Sequence, residues 1–282
     1  GQAKKITFID TPGHEAFSAM RSRGAKVADI AILVVAASEG VKAQTKEAIA
    51  HIKKSGIPLI VAINKVDKPE ADPERIKREL SKEEILVEGL GGKIPSVEVS
   101  ATTRQGIDDL LELILLVAEI NQLKADATKP AEGVIIEARL DSQRGPTATL
   151  LLNNGTLRIG DVVATPSVLG KVKTLENFQA VPLQEVLPSM PAVMIGFEDA
   201  PKIGEEFKFF PNLELAKSYL REPATKASPA FSIESGQKVL NLILKTDVLG
   251  SLEAIEEMLK QLPQEKVALR IIKSEVGDIN ES

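Results

Sequence analysis

Residues 10–14 of this chain combine an acid, a tight turn and a histidine in a spacing that could do chemistry. They read Asp-Thr-Pro-Gly-His and directly follow a strand-like apolar stretch at Ile6–Ile9. A carboxylate at the carboxyl end of a strand suits a metal–phosphate site when a glycine follows whose N–H a ligand can approach. The alternative is a strand end with an ordinary Pro-Gly turn and no ligand.

Two further groups follow two other predicted strands. Residues 64–67 read Asn-Lys-Val-Asp, and residues 100–102 read Ser-Ala-Thr. A carboxylate such as Asp67 can accept two hydrogen bonds from neighbouring N–H groups, as guanine presents them and adenine does not. The N–H groups of residues 100–102 could meet a carbonyl oxygen of such a base. Each group taken alone is also compatible with a solvated loop.

The elements that would position these groups alternate between strand and helix as far as Asn121. Predicted strands are 6–9, 30–35, 58–63 and 96–100, and predicted helices are 14–27, 43–55, 72–85 and 106–120. Continuous apolar runs such as 30–35 are typical of strands buried on both faces. This alternation predicts a doubly wound α/β domain with a parallel sheet, in which the three groups converge on the carboxyl edge.

The remainder of the chain has a different pattern. A polar segment at 121–130 precedes short strands separated by turn residues, which predict a small β-barrel. The predicted barrel strands are 133–140, 147–152, 161–165, 170–175, 192–197 and 205–210. A helical stretch at 211–227 follows. Strand 239–245, a helix capped by Ser251 and strand 267–272 then predict a β-α-β unit.

Composition narrows the function classes. The 282 residues contain no cysteine, which excludes a disulfide framework and a thiolate metal site. The net charge of -5 argues against a general polyanion binder, and 3% aromatic residues disfavour a base-stacking platform. Only two histidines are present, so a multi-histidine metal site is excluded. No apolar run reaches the roughly 18 residues that a membrane span needs.

The three groups together resemble the third, fourth and fifth signature elements of translational GTPases. The flanking residues 15–17 (Glu-Ala-Phe) and 21–25 (Arg-Ser-Arg-Gly-Ala) make the chain similar to the bacterial translation initiation factor 2 group. The barrel segment 139–149 and the final Gly-Asp-Ile-Asn-Glu-Ser at 277–282 add to this resemblance. It covers nearly the whole chain.

The resemblance implies a GTP-dependent initiation factor that places initiator transfer RNA on the small ribosomal subunit, promotes subunit joining and hydrolyses GTP. It implies GTP or GDP with Mg²⁺ as cofactors, the ribosome as partner, a cytoplasmic monomer and no membrane. The implied nucleotide-binding residues are Asp10, Thr11, Pro12, Gly13, His14, Asn64, Lys65, Val66, Asp67, Ser100, Ala101 and Thr102. Asp10 would hold Mg²⁺ through a water, the Gly13 N–H would sense the γ-phosphate, and His14 would be catalytic by positioning the attacking water.

The chain departs from this family in one large respect. No Gly-x-x-x-x-Gly-Lys-Ser/Thr, the P-loop that cradles phosphates, occurs in its 282 residues. We therefore expect an internal portion of a longer protein, inactive alone, whose tRNA-binding domain lies elsewhere. Expected domains are a truncated GTP-binding domain at 1–124, a barrel at 129–211, a linker helix and loop at 212–236, and a partial α/β domain at 237–282.

Two alternatives stay open on the sequence. In the first, the chain is a non-catalytic scaffold that docks on the ribosome and has a vestigial nucleotide site. In the second, an unrelated α/β enzyme is followed by a barrel. A smaller departure is Thr102, where related proteins commonly carry lysine beside the base.

Overall fold

A computed structural model describes residues 5–13, 17–141, 143–221, 238–263 and 267–277. Two compact units are found, one formed by Ile9–Lys124 and the other by the described residues before Ile9 and after Lys124. Within the described residues, no helix is long and apolar enough to cross a membrane.

The Ile9–Lys124 unit is an α/β domain with a parallel sheet. Its strands are β1 (Ala31–Ala36), β2 (Leu59–Asn64) and β3 (Ser96–Glu98), paired in the order β1-β2-β3. Its helices are α1 (Ser18–Val27), α2 (Ala43–Ser55), α3 (Pro73–Lys82) and α4 (Ile107–Ile120). The parallel order places the carboxyl ends of all three strands at one edge of the sheet, as the sequence predicted.

The central strand β2 carries the core of this unit. Its side chains alternate between the two faces of the sheet, and residues from Ile60 to Ile63 are at most 1% exposed. Helices α2 and α3 cover one face, where Ile49, Ile76 and Leu80 pack with Val61 and Ile63. The continuous apolar run at this strand therefore did indicate burial on both faces.

Helix α3 shows how local sequence fixes an element boundary. Asp72 precedes it and accepts the Arg75 backbone N–H at 2.8 Å, while Pro73 occupies the first turn. Both features are typical of helix starts. The helix ends at Lys82, three residues earlier than predicted, because Ile85 and Val87 leave the helical path to enter the core.

The predicted strand at Ile6–Ile9 is wrong, since no strand occurs between residues 5 and 13. Residues up to Phe8 group with the barrel-containing unit, and the Thr7 hydroxyl donates to the Ser189 carbonyl there. Apolar alternation describes the side chains of a strand, but a strand also needs a neighbour for its backbone N–H and C=O groups. Among the residues that the structure describes, 6–9 have no such neighbour, and β2 is the only partner of β1.

The other unit contains the predicted closed barrel. Its strands are β4 (Glu132–Asp141), β5 (Gly145–Asn154), β7 (Val162–Ala164), β8 (Leu169–Glu176), β10 (Pro191–Phe197) and β11 (Glu206–Phe210). They close in the order β10-β5-β4-β11-β7-β8, around a core that includes Ile135, Leu150, Met194 and Phe207. A second small pair, β6 (Leu157–Arg158) with β9 (Glu185–Val186), was not predicted.

After the barrel, helix α5 covers only Leu213–Lys217 of the predicted 211–227, and residues 222–227 lie outside the described part. Strands β12 (Lys238–Thr246) and β13 (Val267–Val276) are parallel, with helix α6 (Leu249–Gln261) between them in sequence, as predicted. Ser251 does not cap α6, because the helix begins two residues earlier. Its entry is ordered by Asp247, whose Oδ1 accepts the Val248 N–H at 2.9 Å.

Candidate functional site

The junction between Asn64 and Ala101 brings two of the three predicted groups together. Asn64 is the last residue of β2, and its Oδ1 accepts the Lys65 N–H at 2.7 Å and the Ala101 N–H at 3.1 Å. The neighbouring Val99 N–H donates to the Ile63 carbonyl at 2.8 Å. Two loops that follow adjacent parallel strands are thus joined by one amide oxygen, as convergence at the carboxyl edge predicted.

Lys65 adopts an unusual backbone conformation at this junction. Its φ is 64°, in the left-handed region that residues other than glycine rarely occupy. Asn64 stabilises that conformation by accepting the Lys65 N–H, and the following Val66 N–H donates to the Val99 carbonyl at 3.4 Å. Backbone strain of this kind is common where a loop must present a side chain to a ligand.

Glu39 lies beside this junction and was not predicted from the sequence. It follows β1, and its carboxylate binds Lys65 Nζ at 2.5 Å and Lys42 Nζ at 2.7 Å. Hydrogen bonds from Lys42 and then Lys65 lower the pKa of Glu39 from 4.5 to about 2. An acid after the first of three parallel strands was the available signal, because all three strands end at the same edge.

Asp67 lies on the exposed side of the same loop. The Ser100 hydroxyl donates to its carboxylate, and this bond, with weaker help from its own backbone N–H and Lys68, lowers the pKa of Asp67. Ser100 itself is fully buried, and its Oγ also accepts the Thr103 N–H at 3.1 Å. An ionised carboxylate therefore faces solvent from a loop that a buried hydroxyl holds.

The third predicted group, residues 10–13, lies against α1 and α2. A Cβ built on Gly24 of α1 would approach the Thr11 methyl group to 3.1 Å, so the glycine allows this close packing. A Cβ on Gly13 would lie 3.8 Å from Gln44 Oε1, in the first turn of α2. Because α2 begins just after β1 ends, Gly13 is placed at the carboxyl edge even though no strand precedes it.

An ion pair between α1 and α2 holds this loop. Arg21 Nη1 donates to the Pro12 carbonyl at 2.7 Å, and Arg21 Nη2 donates to Glu47 Oε2 at 2.7 Å. The Arg21 side chain is only 7% exposed and that of Glu47 28%. Burial disfavours ionised Glu47, but hydrogen bonds from Arg21, Ser18 and His51 outweigh that effect and lower its pKa.

His51, which has no part in the predicted site, takes part in this network. Its Nε2 lies 3.2 Å from Ser18 Oγ and 3.4 Å from Glu47 Oε1. The sequence signal was a polar residue at helical spacing on each helix, Ser18 with Arg21 and Glu47 with His51. Such polar pairs usually indicate a solvent-exposed helix face, and only the packing of one helix on the other shows that they form a network.

Asp10 is the residue that could hold a metal ion at this site. Its side chain is exposed, and the described residues contain no group of three or more histidine, aspartate or glutamate side chains that could hold a metal. Mg²⁺ usually takes one or two carboxylates, with waters and ligand phosphates completing its shell. One exposed carboxylate fits a water-mediated contact of that kind. His14 lies outside the described residues, and Thr102 is an exposed turn residue beside the junction.

Three family models match consecutive parts of the chain. The Elongation factor Tu GTP binding domain matches residues 1–119, Elongation factor G domain 2 matches 130–209, and Translation-initiation factor 2 matches 221–282. This order agrees with the predicted fold of a GTPase-like domain, a barrel and a further α/β part.

Curated relatives cover the whole chain. Translation initiation factor IF-2 of Synechococcus sp. (strain JA-2-3B'a(2-13)) is 47% identical over 300 residues, spanning 100% of this chain and 28% of that protein. The same factor of Roseiflexus sp. (strain RS-1) is 48% identical, spanning 99% of this chain and 40% of that protein. The chain therefore spans between about a quarter and two fifths of the length of these relatives.

Two solved structures show the same fold. GDP-bound aIF5B from Aeropyrum pernix aligns with a TM-score of 0.57 at 26% identity, covering 96% of this chain and 52% of that one. Elongation factor SelB from Methanococcus maripaludis, in complex with the GTP analogue GppNHp, aligns at 0.55 and 26%, covering 71% and 45%. These likenesses confirm the predicted GTPase-like domain and six-stranded barrel.

Proposed function

Because the chain belongs to the translation initiation factor IF-2 family, we propose that its α/β unit is the guanine-nucleotide switch of an initiation factor. The observation that carries this proposal is the junction made by Asn64. One side-chain oxygen joins the loop with the exposed Asp67 carboxylate to the loop with the Ala101 N–H. That arrangement suits a ligand with adjacent N–H donors and a neighbouring carbonyl oxygen, as on the edge of guanine.

Base selection follows from hydrogen-bond chemistry. The Asp67 carboxylate accepts from guanine N1 and its exocyclic amine, while the N–H groups of residues 100–102 donate to the guanine carbonyl. Adenine lacks that donor pair, and a site built for hydrogen bonds rejects analogues lacking them by roughly 10⁴-fold or more. The stem of Lys65 lies along the ring, with Glu39 holding its ammonium. Thr102 offers no comparable stacking surface on the other side.

The loop at residues 10–14 serves the phosphate end. Asp10 would hold Mg²⁺ through a water, and the ion would supply positive charge to the phosphates. The Gly13 N–H senses the γ-phosphate, so that the loop differs between the GTP and GDP states. His14 positions the attacking water when the ribosome stimulates hydrolysis. Its part is orientation and electrostatics, because phosphoryl transfer needs little covalent chemistry from the protein.

The partners follow from the family. The factor works as a cytoplasmic monomer on the ribosome, places initiator transfer RNA on the small subunit and promotes joining of the large subunit. GTP hydrolysis then releases it. Contact with the transfer RNA is made by a part of the factor other than this chain.

The competing function is a ribosome-docking scaffold without nucleotide chemistry. No Gly-x-x-x-x-Gly-Lys-Ser/Thr sequence occurs in these 282 residues, and its presence elsewhere in the intact factor would argue against the scaffold. We expect the isolated chain to bind GDP weakly, since such a loop supplies much of the charge-assisted bonding to phosphates. Submicromolar GDP binding by the isolated chain in calorimetry would contradict that expectation.

The deciding experiment uses the intact factor that contains this chain. We expect calorimetry to show binding of GDP and GTP but not of adenine nucleotides, and ribosomes to accelerate GTP hydrolysis. Binding to ribosomes without any nucleotide affinity would support the scaffold. Equal affinity for adenine and guanine nucleotides would contradict the role given to the Asn64 junction.

A further inference from the structure

Among the residues that the structure describes, Arg21 is the one charged residue that is buried. It is 7% exposed, and it donates to the Pro12 carbonyl and to Glu47 at 2.7 Å each. A guanidinium can hold two acceptors in a fixed geometry because its N–H groups are rigidly arranged in one plane. Arg21 therefore connects the loop at residues 10–13 to helix α2 through one rigid group.

The bond to Pro12 also determines where the next N–H points. The Pro12 carbonyl and the Gly13 N–H belong to the same peptide group, which is planar and trans. In a trans peptide the two bonds point in opposite directions. Holding the carbonyl against buried Arg21 therefore turns the Gly13 N–H away from α1, on a residue that is exposed. Within the described part of the chain, this N–H donates to no protein acceptor.

Glu47 keeps Arg21 in this position. Besides the ion pair with Arg21, its carboxylate is bonded by Ser18 and by His51, so groups from α1 and α2 hold it from two sides. A shift of one helix against the other would therefore change the direction of the Gly13 N–H. If the pair of Arg21 and Glu47 only stabilised the packing of the two helices, Arg21 would not need to contact the Pro12 carbonyl.

We propose that Arg21, anchored by Glu47, is a positioning residue that keeps the Gly13 N–H directed at the γ-phosphate and so sets the preference for GTP over GDP. This inference rests on the proposed function. A positioning role for Arg21 differs from a purely stabilising role in one measurable way. GDP has no γ-phosphate, so loss of Arg21 weakens binding of the triphosphate and spares the diphosphate, whereas general destabilisation weakens both.

The test compares four variants of the intact factor by calorimetry with GDP and with a non-hydrolysable imido analogue of GTP. Arg21→Met removes both hydrogen bonds, and Arg21→Lys keeps the charge without the planar fork. Glu47→Gln keeps the anchor's shape but removes its charge. Lys26→Met is the matched control, because Lys26 is an exposed cation on the same helix.

We expect Arg21→Met to lower affinity for the analogue about tenfold, with affinity for GDP changed less than about twofold. Arg21→Lys and Glu47→Gln should change the ratio of the two affinities in the same direction by a smaller factor. Lys26→Met should leave it unchanged. Equal losses for both nucleotides, or an unchanged ratio in Arg21→Met, would overturn the proposal.

A second measurement does not depend on nucleotide. The full 282-residue chain is labelled with ¹⁵N-glycine, the Gly13 resonance is assigned with Gly13→Ala, and the heteronuclear NOE of its amide is recorded. We expect the NOE to fall in Arg21→Met and to be unaltered in Lys26→Met. An unaltered Gly13 NOE in Arg21→Met would show that Arg21 does not position this peptide. If the wild-type factor bound neither nucleotide, the proposed function would fail, and a fall in the NOE would still show that Arg21 orders the loop.

Discussion

The amide oxygen of Asn64 accepts the backbone N–H of Ala101 at 3.1 Å, across 37 residues of sequence. The same oxygen accepts the Lys65 N–H. Asn64→Ala removes both bonds, so we expect the free energy of unfolding to fall by about 1 kcal/mol. Affinity of the intact factor for GDP should fall about tenfold or more, because both loops lose their common anchor.

The control for this change is Asn121→Ala. Asn121 also has a side-chain amide in a hydrogen bond, because its Nδ2 donates to the Val117 carbonyl at 2.8 Å, at the end of α4. A similar loss of stability with unchanged GDP affinity is expected for it. If Asn64→Ala also left GDP affinity unchanged in calorimetry, the junction would have no part in nucleotide binding.

Asp67→Asn tests base selection. An amide presents one acceptor and one donor where the carboxylate presents two acceptors, so it pairs better with xanthine than with guanine. We expect the preference of the intact factor to move from GDP toward xanthosine diphosphate by roughly 10²-fold or more. Competition binding with the two nucleotides measures this shift, and unaltered selectivity for guanine would count against the assignment of this loop.

His14→Ala separates binding from hydrolysis. The substitution should spare nucleotide binding and lower ribosome-stimulated GTP turnover by roughly 10²-fold or more, because only the positioned water loses its partner. Single-turnover hydrolysis with and without ribosomes measures the effect. Unchanged stimulated turnover would show that the role given to His14 is wrong.

Phe207→Ala tests the barrel core. Phe207 is fully buried among the six strands, so its truncation should lower the free energy of unfolding by about 3–5 kcal/mol. The matched control is Phe178→Ala, because Phe178 is 85% exposed and its removal should change stability by about 0.5 kcal/mol or less. Chemical denaturation of both variants provides the comparison. Equal losses would mean that the barrel is not packed as described.

The lowered pKa of Glu39 predicts how the stability of the protein changes in acid. Its pKa is lowered from 4.5 to about 2, so the folded state takes up this proton only at lower pH than the unfolded state. The stabilisation is therefore complete above about pH 4.5 and is lost as the pH falls toward 2. Glu39→Gln should be less stable than the wild type at pH 6, and the difference should shrink below pH 4.5.

The size of this difference should be small and sensitive to salt, because the side chains of Glu39 and Lys65 are nearly half exposed. Urea denaturation at several pH values, in low and high salt, measures it. Glu70→Gln is the control, since Glu70 is an exposed carboxylate with no ion pair in the described part of the chain. A stability difference for Glu39→Gln that was as large at pH 3 as at pH 6 would contradict the assignment.

The sequence alone determined the elements whose causes are local. Helix α2 was predicted at 43–55 and is found at Ala43–Ser55, and all six barrel strands were predicted to within a few residues. Apolar periodicity and turn residues act between residues that are close in sequence. They therefore predict an element without knowledge of the elements that pack against it. The meeting of Asn64 with Ala101 was also predictable, because parallel strands end at one edge.

Only the tertiary structure decided the features that depend on a distant neighbour. Ile6–Ile9 has the alternation of a strand but forms none, because a strand needs a partner for its backbone groups. The packing of α1 on α2 buries Arg21 against the Pro12 carbonyl and brings it into contact with Glu47, which the sequence did not predict. The sequence thus predicted which residues bind a nucleotide, and the packing of two helices decided where Arg21 holds the Pro12 carbonyl.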